Sequence, residues 1–408
     1  MAVVVGAFGF LGGLLILFAI PGLEDDDPET RLYELNFVLG SALLYAGLGG
    51  FLLVQAASAL GGASSSPLRT GWLWYSLPLF PLLVGIGQLI ANNPETAPWL
   101  FPFVNAAMVA VPSLGVAALV ARRYLRAHPF AWPVSWREWT SAIIYGAVGA
   151  TTLAGIVNTA YLGVLGSLLV DRHGNPNLPD FADRLATLPQ GWGIFLDVST
   201  LSVVAPLNEE LFKALIVALF FFRRGGAARC FAWGVMAGTG FNLLETFTNS
   251  IVVVDPSLQN ADQAVDTWWL FAVARAGTAA MHGLAAGLGA LTLYGLLRGR
   301  PRYLLGYPAA VLLHGTWNFL VYMVEGDALF SQQGPDSLAL DIAGSVGLVA
   351  VAGFTAVMLW LLSGQLRDEA PAPIYRMLGM LPASEPTTGE AEIEVLREDY
   401  AVRPSSAR

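Results

Sequence analysis

Apolar residues in this chain run in long continuous blocks separated by short polar or turn-rich stretches, rather than recurring on one face of a surface helix. Blocks long enough to cross a ~30 Å hydrocarbon core fall near 3–21, 36–60, 71–92, 99–121, 140–170, 193–222, 228–254, 267–297, 303–325 and 338–364. They predict an all-α, polytopic integral membrane bundle of about ten transmembrane helices. The first block, Val3 to Ile20, lacks a basic leading region and a small-residue cleavage site, so it reads as a retained span and not a signal peptide. From Asp368 to Arg408 the pattern changes to Pro, Glu, Ser and Thr, which predicts a disordered tail.

Composition agrees with the blocks. The 408 residues are 55% hydrophobic and 12% charged, with a mean hydropathy of +0.59, which excludes an ordinary soluble domain. The net charge of −9 argues against a nucleic-acid partner. Cys230 is the only cysteine, so neither an intrachain disulfide nor a thiolate metal cluster is available. Arginines concentrate in alternate loops: Arg122, Arg123, Arg126 and Arg137, then Arg223, Arg224 and Arg229, then Arg298, Arg300 and Arg302. Basic loops stay inside, so this alternation predicts a multi-pass protein of the cell membrane with both termini cytoplasmic.

Four of the apolar blocks carry residues that lipid does not favour. Block six has Asn208, Glu209, Glu210 and Lys213, block seven Glu245, block eight His282, and block nine His314 and Asn318. A charge at the bilayer centre costs roughly 2.5–3.5 kcal/mol on insertion scales, so such residues face a protein interior or a wet cavity and mark function. Lys213 is the only lysine in the chain, a compact ammonium where every other basic residue is an arginine. At 1.5 Å per residue, Glu209, Glu245, His282, His314 and Asn318 all lie about 17–25 Å from the cytoplasmic ends of their helices. Antiparallel packing would bring them to one level.

Spacing within each block supports a shared interior face. Glu209 and Lys213 are i,i+4 neighbours and Glu210 and Lys213 are i,i+3, so one ammonium can reach either carboxylate. His314 and Asn318, also i,i+4, can address one point. Small residues such as Gly238, Gly240 and Gly315 allow close helix approach, and Arg275 is expected either to pair with an acid such as Glu245 or to snorkel toward water. A carboxylate base, an imidazole and an amide donor supply what amide hydrolysis needs: an activated water and donors for the oxyanion. Two histidines and a carboxylate, here His282, His314 and Glu245, also make a common Zn2+ set, although no His-Glu-x-x-His occurs.

These residues carry a resemblance. Glu209-Glu210-Leu-Phe-Lys213 resembles the Glu-Glu-x-x-Lys motif of the PrsW family of intramembrane proteases. Phe241-Asn-Leu-Leu-Glu245 resembles its Phe-x-x-x-Glu motif, and His314-Gly-Thr-Trp-Asn318 its late histidine motif. The family is related to CAAX-processing and bacteriocin-processing membrane endopeptidases. The resemblance covers 191–325 and implies cleavage of membrane-protein substrates within the lipid bilayer, membrane-bound anti-sigma factors being one such class. It implies Glu209 as the leading base, Glu210 as its partner with Lys213 beside both, and His314 and Asn318 as oxyanion donors, or His314 as a metal ligand. Glu245 and His282 would supply a second carboxylate and imidazole.

The sequence therefore divides into an N-terminal bundle of about five spans (1–190), a catalytic core of four (191–325), a C-terminal span (326–366) and a cytoplasmic tail (367–408). Two other readings use the same residues. In a proton-coupled transporter the carboxylates and imidazoles form a relay. In a non-catalytic membrane scaffold they only fix helix packing.

Overall fold

The computed structural model describes residues 2–17, 28–66, 79–91, 97–127, 135–178, 180–221, 226–254, 261–325 and 338–367. The acidic first loop at Glu24 to Asp27, Arg223, Arg224 and the polar tail from Asp368 lie outside the described residues. Every described element is a helix. In chain order they are α1 (Ala2–Leu17), α2 (Pro28–Leu60), α3 (Leu79–Ala91), α4 (Ala97–Ala127), α5 (Trp136–His173) and the short α6 (Phe181–Ala186). There follow α7 (190–221), α8 (Ala227–Val254), α9 (Ala261–Arg298), α10 (Gly306–Glu325) and α11 (Leu338–Gln365).

Six of the described helical segments are long and apolar enough to cross a membrane: Gly40–Leu60, Phe103–Ala127, Trp136–His173, Phe271–Arg298, Pro301–Val324 and Leu338–Gln365. Two more predicted blocks form shorter apolar helices, Ala2–Ile16 and Leu79–Ile90. The remaining two, α7 and α8, are helical but fall outside this apolar set because of the polar and charged residues they carry. α8 is buried on nearly every side from Ala227 to Leu244, among α4, α5, α7 and α9. A helix enclosed by protein needs no lipid-compatible surface, so it can carry Asn242, Glu245 and Thr246.

Close approach requires small residues at two crossings on α8. A side chain at Gly238 would overlap the backbone carbonyl of His282 on α9, and one at Gly240 the carbonyl of Ile143 on α5. These contacts draw α9 and α5 against the central helix at the level of its polar residues. Asn242 Nδ2 reaches Ser113 Oγ on α4 at 2.9 Å, one of the interhelical bonds expected of an asparagine in an apolar helix.

One end of the bundle is tied by arginines. Ser135 and Glu138 form a capping box at the start of α5, and Arg229 at the start of α8 bonds both Glu138 oxygens at 2.7 Å. Arg137 Nη2 bonds the Ala63 carbonyl beyond α2 at 2.9 Å, and Arg123 near the end of α4 lies 3.6 Å from the Trp360 ring centroid on α11. The ends of α2, α4 and α11 thus meet the starts of α5 and α8, an antiparallel arrangement.

Candidate active site

The helix that organises the site is irregular. Within α7 the backbone is π-helical over Ser199–Val204, α-helical over Ala205–Ile216 and π-helical again over Val217–Phe221. Pro206 accounts for a break in its ladder. In the π register each carbonyl looks five residues ahead, so the N–H that would answer the Leu201 carbonyl belongs to residue 206, which has none. Asn318 on α10 supplies a donor, its Nδ2 meeting Leu201 O at 2.9 Å. Three residues earlier Gly315 lies against the Ser202 carbonyl, where any Cβ would collide. The helix carrying His314 is thereby docked on the break just ahead of Glu209.

Past the break, the regular turn Asn208 to Lys213 presents its acids inward. Lys213 Nζ lies 3.3 Å from Glu209 Oε2, 2.7 Å from Glu210 Oε1 and 2.8 Å from His282 Nδ1. Its fourth side faces the Phe241 ring, whose centroid is 3.8 Å away. That cation–π contact explains the aromatic residue four positions before Glu245. Lys213, Glu210 and His314 are wholly buried, His282 is 1% exposed and Glu209 7%, while Glu245 is only partly buried. An ammonium buried this deeply is tenable only because two carboxylates and an imidazole surround it.

Both imidazoles are anchored on a carboxylate. His314 Nδ1 lies 2.8 Å from Glu210 Oε1, and His282 Nε2 lies 2.8 Å from Glu245 Oε2. In the neutral tautomers that these contacts favour, Nδ1–H of His314 and Nε2–H of His282 donate outward, and the other nitrogens turn lone pairs inward. The rings meet edge to face with centroids 4.6 Å apart. His314 Nε2 is buried without a hydrogen-bond partner and lies 3.7 Å from Glu209 Oε2. Glu245 is held from its other side by Arg275, whose Nη2 is 2.8 Å from Oε2 and whose Nε donates to Thr246 Oγ1 at 2.8 Å. Of its two expected roles, Arg275 thus takes the pairing with Glu245.

The structure therefore brings together Glu209, Glu210, Lys213, His282 and His314, with Glu245 behind His282. Two placements differ from those expected. The carboxylate grouped with the two histidines is Glu209 and not Glu245: one donor atom each from Glu209, His282 and His314 lie within 4.8 Å of one another. Glu245 is drawn aside by the Arg275 guanidinium. Asn318 does not aim its amide at the cluster, because the unanswered Leu201 carbonyl claims it. One contributor went unnoticed in the sequence: Asn158 on α5, whose Nδ2 reaches Glu209 Oε1 at 3.4 Å while its Oδ1 accepts from Asn208 Nδ2 at 3.1 Å. The only signal was a single amide in an uncharged run, 151–170.

The donor set suits a catalytic metal. Two neutral imidazoles fixed by carboxylates, one inward nitrogen without a partner and a buried carboxylate make a three-ligand pattern that leaves a position for water. The inward nitrogen of His282 is at present met by Lys213, so the ammonium would have to turn toward Glu210 for that nitrogen to ligate an ion.

A family model, PrsW family intramembrane metalloprotease, matches residues 133–361, more than half of the chain. The chain belongs to the PrsW family of intramembrane metalloproteases. The match reaches beyond the motif-bearing stretch of 191–325 and takes in α5 and most of α11. No curated protein and no solved structure matches the chain. Membership makes this a multi-pass membrane protease, acting on membrane proteins in a bilayer, and sets aside the transporter and scaffold readings.

Proposed function

We propose that the chain hydrolyses peptide bonds within membrane-spanning segments, using a water activated by Glu209 beside His282 and His314. The observation that carries the reading is the convergence of these three residues within 4.8 Å in a buried, carboxylate-anchored cluster. Glu209 Oε2 and His314 Nε2 are 3.7 Å apart, close enough for both to address one water molecule. Glu209 takes the water's proton as the oxygen attacks the scissile carbonyl carbon, and returns it to the departing amide nitrogen as the C–N bond breaks. Glu210 holds His314 by its Nδ1–H, Glu245 holds His282 by its Nε2–H, and Lys213 balances the two adjacent acids. A Zn2+ ion would be held by His282, His314 and one oxygen of Glu209, whose other oxygen would remain to take the proton, and would supply a polarised water and electrostatic stabilisation of the oxyanion.

Asn318 acts in this account by fixing α10 on α7, so that His314 keeps its place. A span count of about ten, with both termini cytoplasmic in the cell membrane, fits the antiparallel helix ends gathered by Arg123, Arg137 and Arg229. We assign 191–325 as the core that carries the chemistry, 1–190 and 326–366 as flanking spans and 367–408 as a cytoplasmic tail. Membrane-bound anti-sigma factors are the first substrate class to test. Co-expression of candidate single-span substrates with the wild type and with Glu209→Gln tests the role of the base. The wild type should release a truncated product and the variant, equally abundant in the membrane, none; cleavage by the variant would remove Glu209 from that role.

A further inference from the structure

Among the described residues, the wall between Glu209 and the outside of the bundle is thin along the outer half of α5. The first half of α5 is wedged against α1, α2 and α8, but beyond the π-helical stretch Tyr145–Ala150 its main packing partners are α7 and the short α6. No residue from 155 to 165 is buried, although Asn158 in this stretch touches Glu209 directly. Ala154 lies on one side of that stretch and Gly166, Leu169 and Val170 on the other, as the buried residues of this half of the helix. The outer flank of the seam is apolar and exposed: Ile156 at 59%, Leu153 at 41%, Val203 at 48% and Leu207 at 40%.

Next to Glu209 the seam is closed by polar contacts, while farther along the helix Leu162 and Leu165 pack into the apolar cluster that includes Leu196 of α7. Asn158 bonds Asn208 at 3.1 Å and Glu209 at 3.4 Å, and Tyr161 Oη bonds Ser199 Oγ at 3.4 Å. Two asparagines in a wall that faces lipid are costly residues for a purely structural joint, since apolar side chains would close it better. Each amide offers both a donor and an acceptor. That is what a peptide backbone needs when a helix is locally unwound in a place without water, as a bond must be before it can be attacked. The π-helical stretch at Tyr145–Ala150 and the adjacent Gly155, which has open space where a Cβ would be, lie where α5 would have to bend.

We propose that the α5–α7 seam is the lateral path by which a transmembrane segment of a substrate protein reaches Glu209, with Asn158 and Asn208 exchanging their mutual bond for backbone groups of that segment. The outer half of α5 swings about Tyr145–Ala150, and the Tyr161–Ser199 contact is the clasp that opens. This rests on the proteolytic reading above.

Two measurements on the full chain in proteoliposomes test it. In the first, a photo-crosslinking amino acid is placed at Ile156, at Leu207 or, as a remote control, at Val349 on the outer face of α11, in a Glu209→Gln background with a single-span substrate. Adducts at 156 and 207, at least tenfold above those at 349, are expected; equal labelling or adducts confined to 349 would overturn the path. In the second, Tyr161→Cys and Ser199→Cys are combined with Cys230→Ala and bridged by a short bifunctional thiol reagent. Cleavage should fall at least tenfold on bridging and return on reduction. Undiminished cleavage in the bridged protein would overturn the gate and leave proteolysis standing, whereas absence of cleavage by the wild type itself would overturn the proteolytic reading and the path with it.

Discussion

Lys213→Met isolates the electrostatic logic of the site. The wild-type ammonium is wholly buried, makes 2.7 Å and 3.3 Å contacts to Glu210 and Glu209, and is met by His282 Nδ1 at 2.8 Å. Methionine keeps most of the volume and the contact with Phe241 but leaves two neighbouring carboxylates in an apolar interior with no opposing charge beside them. Breaking a buried ion pair by removing one partner typically costs about 3–5 kcal/mol. The same substitution combined with Glu210→Gln should recover about half of that loss, because the second charge is then gone and the new amide oxygen still accepts from His314 Nδ1–H. Reversible unfolding in mixed micelles, followed by tryptophan fluorescence, gives the four corners of the cycle, and a coupling of about 2 kcal/mol is expected. If Lys213→Met unfolds within 1 kcal/mol of the wild type (about a fivefold change in the equilibrium constant), or if the two changes simply add, the ammonium is not the counter-charge of this pair.

Three further outcomes follow from single contacts. Asn318→Ala leaves the Leu201 carbonyl unanswered and should cost about 1–3 kcal/mol of stability, with a fall in turnover that tracks misplacement of His314; an unchanged unfolding midpoint would refute its docking role. Glu245→Gln weakens the carboxylate anchor of His282 and should lower Zn2+ affinity about 10–100-fold in chelator competition, while an unaltered affinity would free His282 from that dependence. Gly238→Leu forces a side chain into the His282 carbonyl and should destabilise the fold by about 1–3 kcal/mol or more, read as loss of monodisperse protein on extraction; a stable, active variant would show that α8 and α9 need not approach so closely.

The polar cluster was legible in the sequence because lipid makes every polar residue conspicuous: Glu209, Glu210, Lys213, Glu245, His282 and His314 stand out against apolar neighbours and meet in the fold. Helical register also gave the pairing of Lys213 with both acids. Side-chain direction across helices was not legible. Nothing in the spacing says that Arg275 draws Glu245 away from a ligand position, or that a proline five residues beyond Leu201 leaves a carbonyl for Asn318 to satisfy. Asn158 was hidden for the opposite reason: one amide in the uncharged stretch 139–170 gives no local pattern, and its meaning comes only from the neighbour that folding provides. The apolar blocks likewise marked helices without distinguishing those that face lipid from α8, which is enclosed by other helices.

The central claim is that Glu209 drives the attack of water on a peptide bond inside the bilayer. Mass spectrometry of the products formed from a single-span substrate in 18O-enriched water tests it most directly. The account predicts that purified wild type yields a new carboxyl terminus within the spanning segment carrying one 18O atom, and that Glu209→Gln yields none. A product that lacks 18O, a cut outside the membrane segment, or equal product from the variant would contradict it.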